Sequence, residues 1–575
     1  MRKTLIAAAV IAAGAFAYYQ LSSTDTTATI PELDYVPADT ALFSGQFKPV
    51  NVADYLQSMG FGPQYYANPE FEQVLQGILD SADSAAQAKF LVSLLRNYLA
   101  MLTPGQDFSA KSGFKSEMRT LTYMVGLSPV NRMEVTDADT FLAMFDRAEQ
   151  DSGFRHEQIN SDLVSYRRYR FEHDAIKIDL LVTVKDGWAT LALTSDSLPS
   201  SNVNELLAVS KPAKHFNSEQ VLPAISAKYQ LSQDAMGFVS FTQLGRTLTT
   251  SDGNRLAQDL HSLFAEELGA LADWRTAACQ QDVDSISQNW PGIFFDNQLD
   301  YTNSAKTLAQ SKVLVASENK TLLTALSSLR GYLPPHMQHN SVGSMFHFGL
   351  GMDPVQLSSA VGKVWTNMTE PAYSCQPLAE LQQKLKQSNP VAMLAMAGMA
   401  NGLQGASVTV NSLTMDNTTM QPTELDALLT MSVENVRSFI EGLAMLSPGL
   451  ADVKLPAAGV EVDLADIVPQ AAMFGVAAKL KLADDHLLIY RGDKATQQAD
   501  AVANSKLVKN GLFSLGMDYA AFFTTLLSTM ESSGQPVPEN LKALQDMKMK
   551  LAMSVDITQQ GIQTKTQMEL ATATK

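Results

Sequence analysis

Cysteine is almost missing from this chain: Cys279 and Cys375 are the only two in 575 residues. They do not form a Cys-x-x-Cys pair, which argues against a redox-active dithiol. Neither follows the N-terminal apolar run, so bacterial lipoprotein processing is excluded. Charge is sparse as well, at 18% of residues, and its balance is acidic, with a net charge of −17. A diffusely acidic chain is poorly suited to nucleic acid or an anionic membrane surface, so no nucleic-acid partner is expected. The hydrolase signatures are absent too, with no Gly-x-Ser-x-Gly, no His-Glu-x-x-His and no phosphate-cradling glycine loop. Ser112-Gly113-Phe114-Lys115 and Ser317-Glu318-Asn319-Lys320 spell Ser-x-x-Lys, a motif short enough to arise by chance. The second reads better as the start of a helix. No catalytic residue and no cofactor is expected.

What is present is a large apolar fraction, 46%, enough for more than one core at this length. A long uncharged apolar run opens the chain. Arg2 and Lys3 precede Leu5–Tyr19, and Ala15-Phe16-Ala17 offers a small-x-small cleavage site. The run has about 16 apolar residues against the ~20 of a spanning helix, so residues 1–19 read as a signal peptide or a short inner-membrane anchor. Either places the rest of the chain outside the cytoplasm, in the periplasm, free or tethered by residues 4–19. There, an even pair of cysteines is most simply a Cys279–Cys375 disulfide. Closing a loop of about a hundred residues would stabilise the fold by ~4–5 kcal/mol. Residues 20–34 are a Ser/Thr-rich linker.

One pattern recurs: an apolar strand, a sharp turn, then a helix. Its clearest copies are Met345–Val355 and Leu512–Ala520, with looser ones at Leu42–Val50 and Met236–Phe241. Period-two alternation predicts half-buried strands, and Asp353-Pro354 predicts a helix N-cap followed by proline at the first helical position. Asp518 can cap in the same way. Paired carboxylates for acid–base work are the alternative, but capping explains both without a substrate. Lys185-Asp186-Gly187, Asp484-Asp485 and Gln559-Gln560-Gly561 each predict a hairpin turn. A helix is expected from Ser195-Asp196 to Leu207. Arg491-Gly492-Asp493 reads as a strand-to-helix turn with a capping aspartate rather than an adhesion tripeptide.

The two halves of the chain repeat this order with an offset of about 300 residues, so that Pro49 falls on Pro354, Phe141 on Phe439 and Asp196 on Asp493. The expected fold is α+β, with two similar lobes of mainly antiparallel sheet and packed helices, 35–252 and 311–575. A helical connector, 253–310, would join them.

Three clusters could carry chemistry. His336, His339 and Met345, with His347 beyond, supply imidazole and thioether ligands of the kind that hold copper; the plainer reading is a solvated loop with incidental histidines. Met393, Met396 and Met399, near Met415 and Met420, could line an adaptable groove for a lipid or peptide, or simply fill a core. Tyr166-Arg167-Arg168-Tyr169-Arg170-Phe171 puts arginines and aromatics on one strand. That suits phosphate or glycan, or the protection of a sheet edge.

With the leader, the Tyr35-Val36-Pro37-Ala38-Asp39-Thr40 opening and the strand–helix order in view, the chain resembles exported envelope proteins of Gram-negative bacteria with no assigned function. The resemblance implies an envelope location and carries over no catalytic residues. The expected role is a non-enzymatic envelope protein that binds a protein partner or an apolar (lipid) ligand. The alternatives are an envelope enzyme outside the known motifs and a periplasmic copper binder.

Overall fold

Alternating side chains on extended backbone make sheets, and turn glycines decide which strands become neighbours. The computed structural model describes residues 30–571 except 52–68, 82–83, 102–106, 174–175, 233, 265–266, 304–305, 339–342, 389, 391–400, 417–421, 447–453, 469–476 and 547. The leader and most of the linker therefore lie outside the described residues. The protein is α+β with a large antiparallel sheet framework. Among the described residues it divides into two compact units. The first runs to Ala309 and takes in Ser374–Pro377; the second takes Gln310–Tyr373 and Leu378–Ala571.

The first unit contains β1 (Leu42–Asn51), β2 (Glu117–Val125), β3 (Ser128–Glu134), β4 (Glu157–Asn160), β5 (Ser165–His173), β6 (Ile176–Lys185), β7 (Trp188–Thr194), β8 (Ala235–Ser240) and β9 (Gly292–Asn303). Their order across the sheet is β9-β8-β1-β2-β3-β7-β6-β5-β4. The expected β6–β7 hairpin turns at Asp186 and Gly187, both at positive φ as a tight primed turn requires. The helices are α1 (Pro69–Ser81), α2 (Ala85–Met101), α3 (Phe108–Ser112), α4 (Ala138–Ser152), α5 (Val203–Leu206), α6 (Val221–Tyr229), α7 (Phe241–Thr249), α8 (Arg255–Phe264) and α9 (Ala277–Asn289). Asp137 caps α4 by accepting the N–H groups of Asp139 and Thr140, and Gly153 ends it in the left-handed region. Phe90, Phe108, Phe141 and Phe145 from α2, α3 and α4 then bury one sheet face against Met118, Met133, Tyr169 and Val182.

The Tyr35–Thr40 opening fastens the same sheet. Thr40 Oγ1 accepts the Met124 N–H at 2.9 Å, and Asp39 Oδ2 accepts the N–H of Arg255, the first residue of α8, at 3.1 Å. Tyr35 stacks on the Arg132 guanidinium. The opening that carries the resemblance is thus a structural clasp.

The second unit contains β10 (Lys306–Ala316) from Gln310 onward, β11 (Phe346–Leu350), β12 (Leu403–Met415), β13 (Pro422–Val433), β14 (Glu461–Asp463), β15 (Lys479–Leu482), β16 (His486–Arg491), β17 (Phe513–Asp518), β18 (Met549–Thr558) and β19 (Gly561–Ala571). Their order is β10-β19-β18-β17-β11-β12-β13-β16-β15-β14. Its helices are α10 (Lys320–Ser327), α11 (Pro354–Thr369), α12 (Gln376–Lys386), α13 (Val436–Leu446), α14 (Leu464–Ile467), α15 (Asp493–Ala503), α16 (Tyr519–Ser532) and α17 (Glu539–Asp546). Asp353 caps α11 through the Val355 N–H and Asp518 caps α16 through Ala521, as expected; the helix expected after Ser317 starts with Asn319 as its cap, accepting the Leu322 N–H.

The disulfide is present. Cys279 and Cys375 are both fully buried, and the Asp282 carboxylate accepts the N–H groups of Ser374 and Cys375 at 2.7 and 2.8 Å.

Three local expectations change. Within 253–310, residues 255–289 are largely helical but group with the first unit, and Gly292–Asn303 is strand β9, paired with β8. Of the helix expected from Ser195 to Leu207 only α5 forms. Asp196 caps nothing and instead meets Arg170 at 2.7 Å. At Arg491-Gly492-Asp493 the capping carboxylate comes from elsewhere. Asp426 of β13 accepts the Lys494 and Ala495 N–H groups, both at 2.9 Å. Gly492, at φ +96°, is required there, since a Cβ would fall 2.5 Å from Asp426 Cγ.

Candidate functional site

Strand register sorts the second unit's sheet into two unlike faces. On one face lie His347, Ser407, Thr409, Leu428, Thr430, Ser432, His486 and Ser514, all buried. His347 Nδ1 sits 3.2 Å from Ser344 Oγ and its Nε2 3.2 Å from Ser514 Oγ. Ser514 Oγ–H donates to the Met337 carbonyl, so His347 carries its proton on Nε2 and accepts from Ser344 at Nδ1. Gly516 makes room for the ring; a Cβ there would stand 2.2 Å from His347 Cε1. His336, in the 3-10 turn Pro335–Met337, bonds Thr409 Oγ1 through Nε2 at 2.9 Å, while its buried Nδ1 has no partner. Burial pushes both imidazoles down to about 4, and for His336 the nearby His347 and Lys494 add to the effect. Both rings are neutral at neutral pH. His486 is held likewise: its Nδ1 lies 2.9 Å from Ser432 Oγ, and burial lowers its pKa.

This cluster brings His336 and His347 together, which the sequence had placed only in one neighbourhood. Its chemistry is limited, however. The Ser514 proton is committed to a carbonyl, so His347 does not activate it as a nucleophile. Of the copper candidates, His339 lies outside the described residues, and Met345 Sδ takes the Thr525 hydroxyl at 3.8 Å. Among the described residues, no group of three His, Cys, Asp or Glu side chains gathers as a metal site.

The opposite face is apolar and open. Phe346, Phe348 and Leu350 of β11 are flanked by Phe513, Leu515 and Met517 on β17 and by Ala406, Val408 and Val410 on β12. Leu429 and Met431 of β13 and Met553 and Val555 of β18 extend the surface. Phe348 and Leu350 are each 40% exposed and Leu429 is 43% exposed, although each occupies an interior strand of the sheet. α16 covers one end, where Phe522 packs on Phe346, and α13 the other, through Phe439 and Ile440. The comparable face of the first unit is sealed by α2, α3 and α4. The sequence signal was there, in the Phe-x-Phe-x-Leu alternation at Phe346–Leu350. Alternation alone does not say whether a face will be covered.

The remaining candidates serve structure. Arg167 pairs with Asp146, Arg168 with Glu157, and Arg170 with Asp179 and Asp196, so the arginines of the aromatic strand are neutralised. Ser112 donates to the Phe108 carbonyl at the end of α3, and Lys115 pairs with Glu134. Met393, Met396, Met399 and Met420 lie outside the described residues, and Met415 is half-buried at the end of β12.

No protein-family model matches the sequence, and no curated protein does. A solved structure, crystal form I of TP0453, is similar over 50% of this chain and 81% of its own, at 8% identity and a TM-score of 0.20. A likeness that slight carries no argument. Among the described residues no helix is long and apolar enough to cross a membrane.

Proposed function

We propose that this chain is a non-enzymatic envelope protein that holds an apolar ligand, an acyl chain, on the open face of its second sheet. The carrying observation is the exposure of Phe348, Leu350 and Leu429 on interior strands, where large apolar side chains are ordinarily covered. The strand positions that make up this face carry no polar side chain from Phe346 to Met431, so recognition rests on apolarity and shape. The displaced pKa values elsewhere in this unit belong to histidines and tyrosines held by hydroxyls or carboxylates and to Lys479, paired with Asp463 and Glu461, which supports a binding role over catalysis. The envelope location rests on the basic, then apolar, leader of residues 1–19 and on the resemblance.

The two units are proposed to be duplicated lobes. What supports this is strand order. With β1, β2, β3, β5, β6, β7, β8 and β9 set against β11, β12, β13, β14, β15, β16, β17 and β18, the two sequences of neighbours coincide. Phe141 and Phe439, paired by the offset of the repeat, lie on the corresponding helices α4 and α13.

Native mass spectrometry of the protein purified from its own envelope tests the binding role. A lipid-sized adduct that is lost in Phe348→Asp and Leu429→Asp variants of unchanged melting temperature is expected. A bare mass in the wild-type protein, or an adduct indifferent to both substitutions, would refute the reading. A co-purifying protein lost in the same variants would move it to a protein partner.

A further inference from the structure

The first unit contains a cation that its surroundings leave uncompensated. Arg132 of β3 is 5% exposed, and its Nε and Nη1 are buried without a hydrogen-bond partner. Among the described residues it makes no ion pair. Of the carboxylates in this region, Glu134 is engaged by Lys115 and Arg119 and Glu205 by Arg255 at 3.1 Å, while Glu32 gives Oε1 to Arg119 at 3.4 Å and keeps a buried Oε2 without a hydrogen-bond partner. Two rings stack on the guanidinium, with its central carbon 5.1 Å from the Tyr35 centroid and 5.0 Å from that of Trp188. Stacking stabilises the faces of a guanidinium but leaves the N–H groups at its edge without acceptors.

A second unsatisfied donor lies beside it. Tyr123 is fully buried with its hydroxyl unpartnered, and Arg132 and Tyr123 act on each other electrostatically. Register explains the proximity. Arg132 is paired with Leu121, and Tyr123 is two residues along the same strand, so both side chains project from one face. A buried guanidinium with unpaired N–H groups and a buried hydroxyl without an acceptor are both costly. One species that accepts hydrogen bonds and carries negative charge would relieve them together.

We propose that Arg132 and Tyr123, roofed by Tyr35 and Trp188, form a buried site for a small monovalent anion, with bromide as its probe. The Tyr35–Thr40 clasp closes over this site, so occupancy stabilises the first unit. This site is independent of the apolar face of the second sheet.

The test uses the full chain in sodium gluconate at constant ionic strength, titrated with sodium bromide. Tryptophan emission and melting temperature are the readouts. Bromide held beside Trp188 quenches its emission by the heavy-atom effect. The expected result is saturable quenching that Trp188→Phe removes, with a parallel saturable rise in melting temperature. Tyr123→Phe, which keeps the ring and its packing, should move the midpoint about fivefold toward higher bromide, the loss of one hydrogen bond. Arg132→Leu should abolish both responses if it folds. Quenching that is linear and unchanged in Tyr123→Phe would overturn the proposal, as would a bromide-soaked crystal with an ordered water, and no anomalous peak, beside Arg132.

Discussion

At the scale of the residue, burial is the main cause that lowers the pKa values of His336 and His347. His336 and His347 titrate near pH 4 in the folded protein and near 6.5 when unfolded, so between these values the unfolded chain binds more protons. Stability is therefore complete above about pH 6.5 and declines as pH falls toward 4, by up to about 1.4 kcal/mol per pH unit for each histidine. Melting temperature measured from pH 7 to pH 4 should fall across that window, and His347→Asn should flatten the fall. An unchanged profile in the variant would remove His347 from the account. Asp353 tests the capping reading. Its carboxylate accepts the Val355 N–H and meets Lys509 at 2.8 Å, so Asp353→Ala should cost about 1 kcal/mol in denaturant unfolding. These histidines were visible in the sequence as a cluster, but their partners Thr409 and Ser514 are remote in the chain. No spacing rule reaches them.

At the scale of the element, helix starts and hairpins were mostly legible, because a cap or a turn needs only neighbouring residues. Asp353-Pro354, Asn319 and Asp186-Gly187 acted as their local chemistry required. The failures were elements that take a partner from elsewhere. Asp426 of β13 does for α15 what Asp493 was expected to do, while also accepting the Asn411 amide at 2.7 Å. Asp426→Ala should therefore destabilise by about 1–2 kcal/mol, while Asp493→Ala should be near neutral, a contrast that chemical denaturation of the two variants resolves. The Cys279–Cys375 bridge belongs to this scale as well. Its sequence separation is 96 residues, and in the chain-entropy model a Cys279→Ala/Cys375→Ala double variant should lose about 4–5 kcal/mol. Because both cysteines are fully buried, the folded protein should resist mild reductants that break the bridge once it is unfolded.

At the scale of the whole molecule, the net charge of −17 makes a testable statement about partners. Repulsion from phosphate-rich surfaces predicts no saturable binding to duplex DNA or to anionic lipid vesicles at physiological ionic strength. A co-sedimentation assay with each checks this. The acyl-binding role does not conflict with it, since an apolar face takes up a single chain without approaching a charged bilayer. The shared neighbour order of the two units gives duplication its best support. In the sequence the correspondence shows only as a matching order of elements, because neighbour order in a sheet does not require matching side chains.

By itself the sequence determined the α+β class, the strand–turn–helix recurrence, most caps and turns, and the pairing of the two cysteines. These depend on periodicity, on residues within a few positions of one another, or on there being only one way to pair two thiols. Tertiary structure alone decided that the apolar alternation of β11 faces outward, that the arginines of β5 are neutralised, and that Arg132 is buried beneath two rings. Each of these outcomes depends on what another part of the chain brings to a strand's face, and alternation does not specify that.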